Sequence, residues 1–61
     1  MLGAEELDHV YTEVCRGMTA LGADKTELFL ARLALLLMKE VGDSARILGA
    51  VEAARKSLEQ A

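Results

Sequence analysis

The chain of 61 residues contains no proline, no tryptophan and a single cysteine. Because a disulfide needs two cysteines, the chain cannot form one internally. With Tyr11 and Phe29 as its only aromatic residues, it cannot build a core on large rings. The lack of proline removes the strongest helix breaker from every segment. What remains is a composition rich in leucine and alanine, which is typical of helices.

The charge is also one-sided, with a formal net value of −3 at pH 7. This balance argues against general affinity for nucleic-acid phosphates or anionic membranes. Residues 1–6 offer neither the basic segment nor the apolar run of a secretory signal. The lone thiol suits a reducing compartment. We therefore expect a cytoplasmic protein with no nucleic-acid partner.

The most apolar stretch, residues 28–38, contains only one charged residue, Arg32. It is about half as long as the ~20 residues that a membrane-spanning helix needs, so we expect no membrane span. Asp24 is a suitable N-cap before it, and Gly42 a suitable stop after it. These signals predict a central helix over about 25–41.

The central helix carries more apolar surface than a single stripe. At ~100° per residue, its apolar side chains cover an arc of roughly 220°, whereas a surface helix usually has a stripe of ~100° or a little more. Lys25, Arg32 and Lys39, each seven residues apart, form one narrow strip. We interpret this strip as a solvated face, although it also suits an acidic partner. The part of the apolar arc that exceeds a normal stripe must be buried against another helix or another chain.

A second helix is predicted over about 4–21, where an apolar seam steps by four and three residues along Leu7, Tyr11, Val14, Met18 and Leu21. Gly22 is expected to end it in a left-handed conformation. The predicted connection to the central helix is only two or three residues long. So short a loop favours an antiparallel hairpin, in which the seam covers one side of the central helix.

A third helix is predicted over about 44–58, with Asp43 or Ser44 as its cap. The expected fold is therefore all-α, with one domain over 1–61. A chain of this length buries only ~60% of its unfolded surface, so we expect a helical-bundle homodimer. The interface is predicted to contain Leu30, Leu33, Ala34, Leu37, Met38, Val41, Ile47 and Val51.

Few residues have the spacing of a chemical site. Glu5, His9 and Glu13 lie four residues apart, and Glu6 precedes His9 by the three residues used in di-iron carboxylate bundles. A metal site of this kind needs further carboxylates from facing helices, so an exposed acidic face is the favoured interpretation. We expect no metal or other cofactor and keep the metal-binding bundle as an alternative.

Two further features have ordinary explanations. Cys15 adjoins the apolar seam and lacks a base within reach, so it is interpreted as a partly buried, unreactive thiol. Asp43-Ser44 matches the dipeptide that carries phosphopantetheine in acyl carrier proteins, where leucine follows the serine. Here Ala45 follows, and a helix cap accounts for the pair.

The run 28–40, followed by Gly42-Asp43 and Ala45-Arg46, resembles a family of very short bacterial proteins of unknown function. The likeness extends back to residues 7–12. The resemblance implies no activity and supplies no site residues. Members of that family are often encoded near oxidoreductases and hydrolases of catabolic pathways, which implies an accessory or partner-binding role.

These observations predict a non-enzymatic protein that self-associates and serves as an accessory or interaction module. The alternative is a small subunit that docks on a larger catabolic enzyme, with the apolar arc of the central helix filling a groove on that enzyme.

Overall fold

The computed structural model describes residues 2–59. Within them the chain forms three α-helices and no strand: α1 (Ala4–Leu21), α2 (Ala23–Val41) and α3 (Ser44–Glu59). The all-α expectation is confirmed, and the predicted bounds agree within two residues at every helix end.

The connection between α1 and α2 is a single residue, Gly22, which differs from the prediction of a two- or three-residue loop. The N–H of Gly22 donates to Met18 O at 3.1 Å, and its carbonyl accepts from Lys25 N at 3.2 Å and Thr26 Oγ1 at 3.0 Å. Its φ of 91° and ψ of 163° are not the predicted left-handed helical values. The prediction of Asp24 as the N-cap was also wrong, because α2 begins at Ala23, the residue before Asp24, and no side chain caps its N-terminus.

The predicted antiparallel hairpin is not formed. Within residues 2–59, no Cα atom lies within 8 Å of a Cα twelve or more positions away. Two helices packed along their lengths would bring such atoms together, because packed axes lie 8–10 Å apart. Each of α1 and α3 therefore approaches α2 only near the glycine that connects them. A one-residue connection leaves no chain to reverse direction, which is why α1 and α2 diverge from Gly22.

An aromatic contact bridges the angle between α1 and α2. The ring of Phe29 lies so close to Gly17 that a Cβ atom on the glycine would be 2.8 Å from Phe29 Cζ. Both residues are half-buried. The contact explains why a glycine stands inside α1, where it costs about 1 kcal/mol relative to alanine.

The second connection follows the sequence prediction closely. Gly42 ends α2 in the left-handed conformation, with φ 65° and ψ 19°, and its N–H donates to Met38 O at 3.0 Å. The Asp43 carboxylate then accepts from the backbone N–H groups of Ala45 at 3.0 Å and Arg46 at 3.3 Å. These bonds satisfy two of the donors that a helix start leaves without partners.

No side chain in the described part of the chain is fully buried. The accessible surface is 5562 Å², whereas a compact monomer of this mass exposes only ~3,900 Å². The radius of gyration is 12.9 Å, against ~10.5 Å for a compact chain of this length. One copy therefore forms three helices without enclosing a core.

Candidate interaction surface

The aliphatic side chains of α2 face solvent on most of its circumference. The helix has two glycine-linked neighbours, and each covers only the end nearest its own glycine. The large aliphatic side chains that remain exposed on α2 are Leu28, Leu30, Leu35, Leu36, Leu37 and Val41. Because clustered exposed apolar side chains are rare on monomeric proteins, this surface is the candidate interaction surface.

One groove lies between the C-terminal half of α2 and the first half of α3. We call it the α2–α3 groove, and its lining is aliphatic apart from one thioether: Ala34, Leu37, Met38, Val41, Ile47, Ala50 and Val51. Met38 and Ile47 are half-buried in its wall, whereas Leu37 and Val51 are each 54% exposed. The groove is open to solvent and apolar throughout.

Six of the eight predicted interface residues line this groove together; Leu30 and Leu33 do not. Leu30 lies one helical turn before Ala34 and is 39% exposed, so it extends the same face of α2. Leu33 is half-buried and does not line the groove, although it lies one helical turn before Leu37. Ala50 was not among the predicted residues, although its position three residues after Ile47 places it on the same side of α3.

A second surface of α2 combines cations with leucines. Two depressions that share Arg32 follow this side of the helix; one reaches Lys25 and the other Lys39. We call their union the cationic groove, and the leucines that line it are Leu21, Leu28, Leu35 and Leu36. Within residues 2–59 none of the three cations forms an ion pair. The predicted strip of Lys25, Arg32 and Lys39 is thus present along one side of α2, and apolar side chains border it.

The candidate metal ligands of α1 remain separate side chains on an exposed helix. Glu5, Glu6, His9 and Glu13 all face solvent, and nowhere in residues 2–59 do three side chains of metal-binding type converge. Glu13 instead accepts from Arg16 Nη1 at 3.4 Å. Exposed pairs of this kind contribute little to stability.

Cys15 is a half-buried free thiol on α1, as predicted from its place beside the apolar seam. Ser44 is the first residue of α3, and its hydroxyl makes no hydrogen bond within the described chain. The N-cap of α3 is therefore Asp43, whose carboxylate accepts hydrogen bonds from backbone N–H groups of the first turn.

None of the described helices is both long enough and apolar enough to cross a bilayer. No curated protein and no solved structure matches this chain. A family described as "Protein of unknown function (DUF2783)" matches residues 2–56, nearly the whole sequence. The chain therefore belongs to that family of short proteins of unknown function.

Proposed function

We propose that this protein is a non-enzymatic interaction module that self-associates as a homodimer, with two α2 helices packed across a two-fold axis at the α2–α3 groove. The observation that carries this proposal is the uncovered surface of one copy. A chain exposing 5562 Å² has about 1,700 Å² more accessible surface than a compact monomer of its mass.

That area agrees with what a permanent dimer removes from solvent. Obligate homodimers bury about 2,000–5,000 Å² in total, or about 1,000–2,500 Å² per chain. The excess surface of this chain falls inside that interval. A two-fold arrangement also suits a surface that must cover itself, because both copies then present the same groove to each other.

The chemistry of the α2–α3 groove favours packing over catalysis. Its lining consists of alkyl groups and the Met38 thioether, which lack a nucleophile or a proton-transfer group. Met38 adapts its shape to a facing helix. The small side chains of Ala34 and Ala50 allow such a helix to approach closely.

Light scattering coupled to size-exclusion chromatography, over a dilution series of untagged protein, tests the proposal. We expect a particle of twice the 6.6 kDa chain mass at low micromolar concentration. A compact, cooperatively melting particle of one chain would overturn it. Aggregation that ends only when a larger enzyme is co-expressed would instead support the small-subunit alternative.

A further inference from the structure

The cationic groove and the α2–α3 groove lie on opposite sides of α2. At ~100° per residue, the row of three cations is turned by about 170° around the helix axis from Ala34 and Val41. A second copy that packs its α2 at the α2–α3 groove therefore leaves the cationic groove open. The α1 helix of that copy does not reach it either, because a single glycine joins that helix to its own α2.

Two parallel rows of side chains form the cationic groove along α2. Lys25, Arg32 and Lys39 make the first row, and Leu28 and Leu35 make the second, about 50° further round the helix. The two leucines are 54% and 60% exposed. Both rows repeat every seven residues, or about 10.5 Å along the axis. Rows with this repeat are the surface along which a second helix packs.

The cations of this groove differ from other basic residues of the chain in having no acidic partner. Arg16 pairs with Glu13 at 3.4 Å, and Arg55 pairs with Glu52 at 2.6 Å. Within residues 2–59 the three groove cations form no ion pair. They are three of the seven basic residues in a chain whose net charge is −3. A partner that fits this groove must therefore bring negative charge as well as an apolar face.

A further copy of α2 does not meet this requirement. Antiparallel packing along the leucine rows would set cations against cations, which is disfavoured. Parallel packing would set them against the other flank of the leucine row, where Asp24 is the only acidic residue and Ala31 and Met38 carry no charge. An anionic membrane or a nucleic acid is disfavoured by the net charge of the whole chain. These comparisons favour an acidic helix from a different protein.

We propose that the cationic groove binds an amphipathic helix of another protein, in which an apolar row and an acidic row both repeat every seven residues. The apolar row covers Leu28 and Leu35, and the acidic row pairs with Arg32 and Lys39. Charged residues beside an apolar seam set the choice and orientation of a partner helix. The inference rests on the proposed interaction module and adds the chemistry of its partner; a two-fold dimer carries two such sites.

A designed peptide tests this groove directly. The glutamate peptide is about three heptads long, with leucine at a and d and glutamate at e and g, so that its own copies repel one another. The lysine peptide has lysine at the same e and g positions. Fluorescence anisotropy measures the binding of each labelled peptide to the full-length protein. We expect the wild type to bind the glutamate peptide with an affinity that falls as salt is added.

Reversing two groove charges should exchange the preference between the peptides. For the variant with Arg32→Glu and Lys39→Glu, we expect the affinity for the glutamate peptide to fall on the order of tenfold or more. Its affinity for the lysine peptide should rise above that of the wild type. Light scattering should still give the wild-type mass, because this groove lies opposite the α2–α3 groove.

A matched control separates the groove from attraction between whole molecules. The pair Arg46→Glu and Lys56→Glu on α3 makes the same change in net charge but leaves the cationic groove intact. This variant should change either affinity far less than the α2 variant does, because distant exposed charges are screened by salt.

An exchanged preference in the α2 variant alone, at unchanged mass, supports the proposal. Failure of the wild type to bind the glutamate peptide, or an equal loss with the α3 variant, overturns it without affecting the dimer, which the wild-type mass tests separately. A wild-type assembly of more than two copies that the α2 reversal reduces to dimers also overturns it, since another copy would then occupy the groove. If the reversed variant is unfolded, Arg32→Gln with Lys39→Gln replaces it and should weaken binding of the glutamate peptide.

Discussion

Gly17 on α1 and the ring of Phe29 on α2 form a close contact between the two helices that Gly22 connects. The ring lies where a side chain at Gly17 would have to be, with three ring atoms within 3.4 Å of the position of a Cβ atom. No side chain among residues 2–59 is fully buried, and Gly17 and Phe29 are both half-buried at this contact.

Replacing Gly17 with alanine is therefore expected to destabilise the protein, although alanine is the better helix former. The helix gains about 1 kcal/mol from the loss of glycine, whereas forcing an extra carbon into an occupied space costs about 1–3 kcal/mol. Thermal unfolding followed by circular dichroism, at one fixed protein concentration, measures the difference.

Gly49 supplies the matched control, because it lies inside α3 and a Cβ atom there would meet nothing within 4 Å. Gly49→Ala should raise the stability by about 1 kcal/mol. Adding Phe29→Leu to Gly17→Ala should recover much of the lost stability. An equal gain from both alanine substitutions would contradict the close contact.

Gly22→Ala is expected to destabilise the protein through its backbone conformation. The backbone there has φ 91° and ψ 163°, a region that is essentially restricted to glycine and costs a side chain about 1–3 kcal/mol. Gly42→Asn should be much milder, since φ 65° and ψ 19° are left-handed values that asparagine tolerates. Urea unfolding of the two variants compares them. Equal losses would show that Gly22 relaxes to an ordinary conformation.

The difference between these two glycines also explains which parts of the fold were predictable. Gly42 and Asp43 act within one helical turn, so the sequence predicted the role of Gly42 correctly and narrowed the cap of α3 to Asp43 or Ser44. The one-residue connection at Gly22 was mistaken for a hairpin loop, because Asp24 is as good a capping residue on paper as Asp43 is in the structure. The direction of α1 depends on how α2 actually begins, and residue preferences alone did not decide that.

The composition of the α2–α3 groove was largely predictable for a related reason. Ala34, Leu37 and Val41 recur at helical spacing, so the face they share follows from the period alone. Leu33 does not line the groove in one copy, and an arc of roughly 220° leaves open which side of α2 meets α3. That assignment needed the position of α3, which Gly42 sets.

Asp43→Ala should lower the stability by about 1 kcal/mol, because it removes the acceptor for the N–H groups of Ala45 and Arg46. Asp43→Asn keeps an acceptor oxygen at that site and should cost much less. Ser44→Ala is the control, since the Ser44 hydroxyl makes no hydrogen bond within residues 2–59. Thermal unfolding at fixed concentration measures all three. A larger loss from Ser44→Ala than from Asp43→Ala would assign the cap to the serine instead.

The Leu37→Glu substitution tests whether Leu37 stays exposed to solvent or is covered by a second copy. In the single chain Leu37 is 54% exposed and Leu48 is 66% exposed, so packing within one copy predicts small and similar effects for glutamate at either position. Leu37 lines the α2–α3 groove and Leu48 does not. If two copies meet there, the new carboxylate is buried without a partner, at a cost of about 3 kcal/mol or more.

That cost raises the dimer dissociation constant by about a hundredfold or more, so Leu37→Glu should yield an unfolded or loosely packed monomer at micromolar concentration. Leu30→Glu, on the same face of α2, should behave likewise, while Leu48→Glu should remain a dimer in sedimentation equilibrium. Because one copy encloses no core, loss of the dimer should also abolish the cooperative melting transition. A sharply melting Leu37→Glu monomer would show that a single chain is stable alone, and the exposed surface would then need a different explanation.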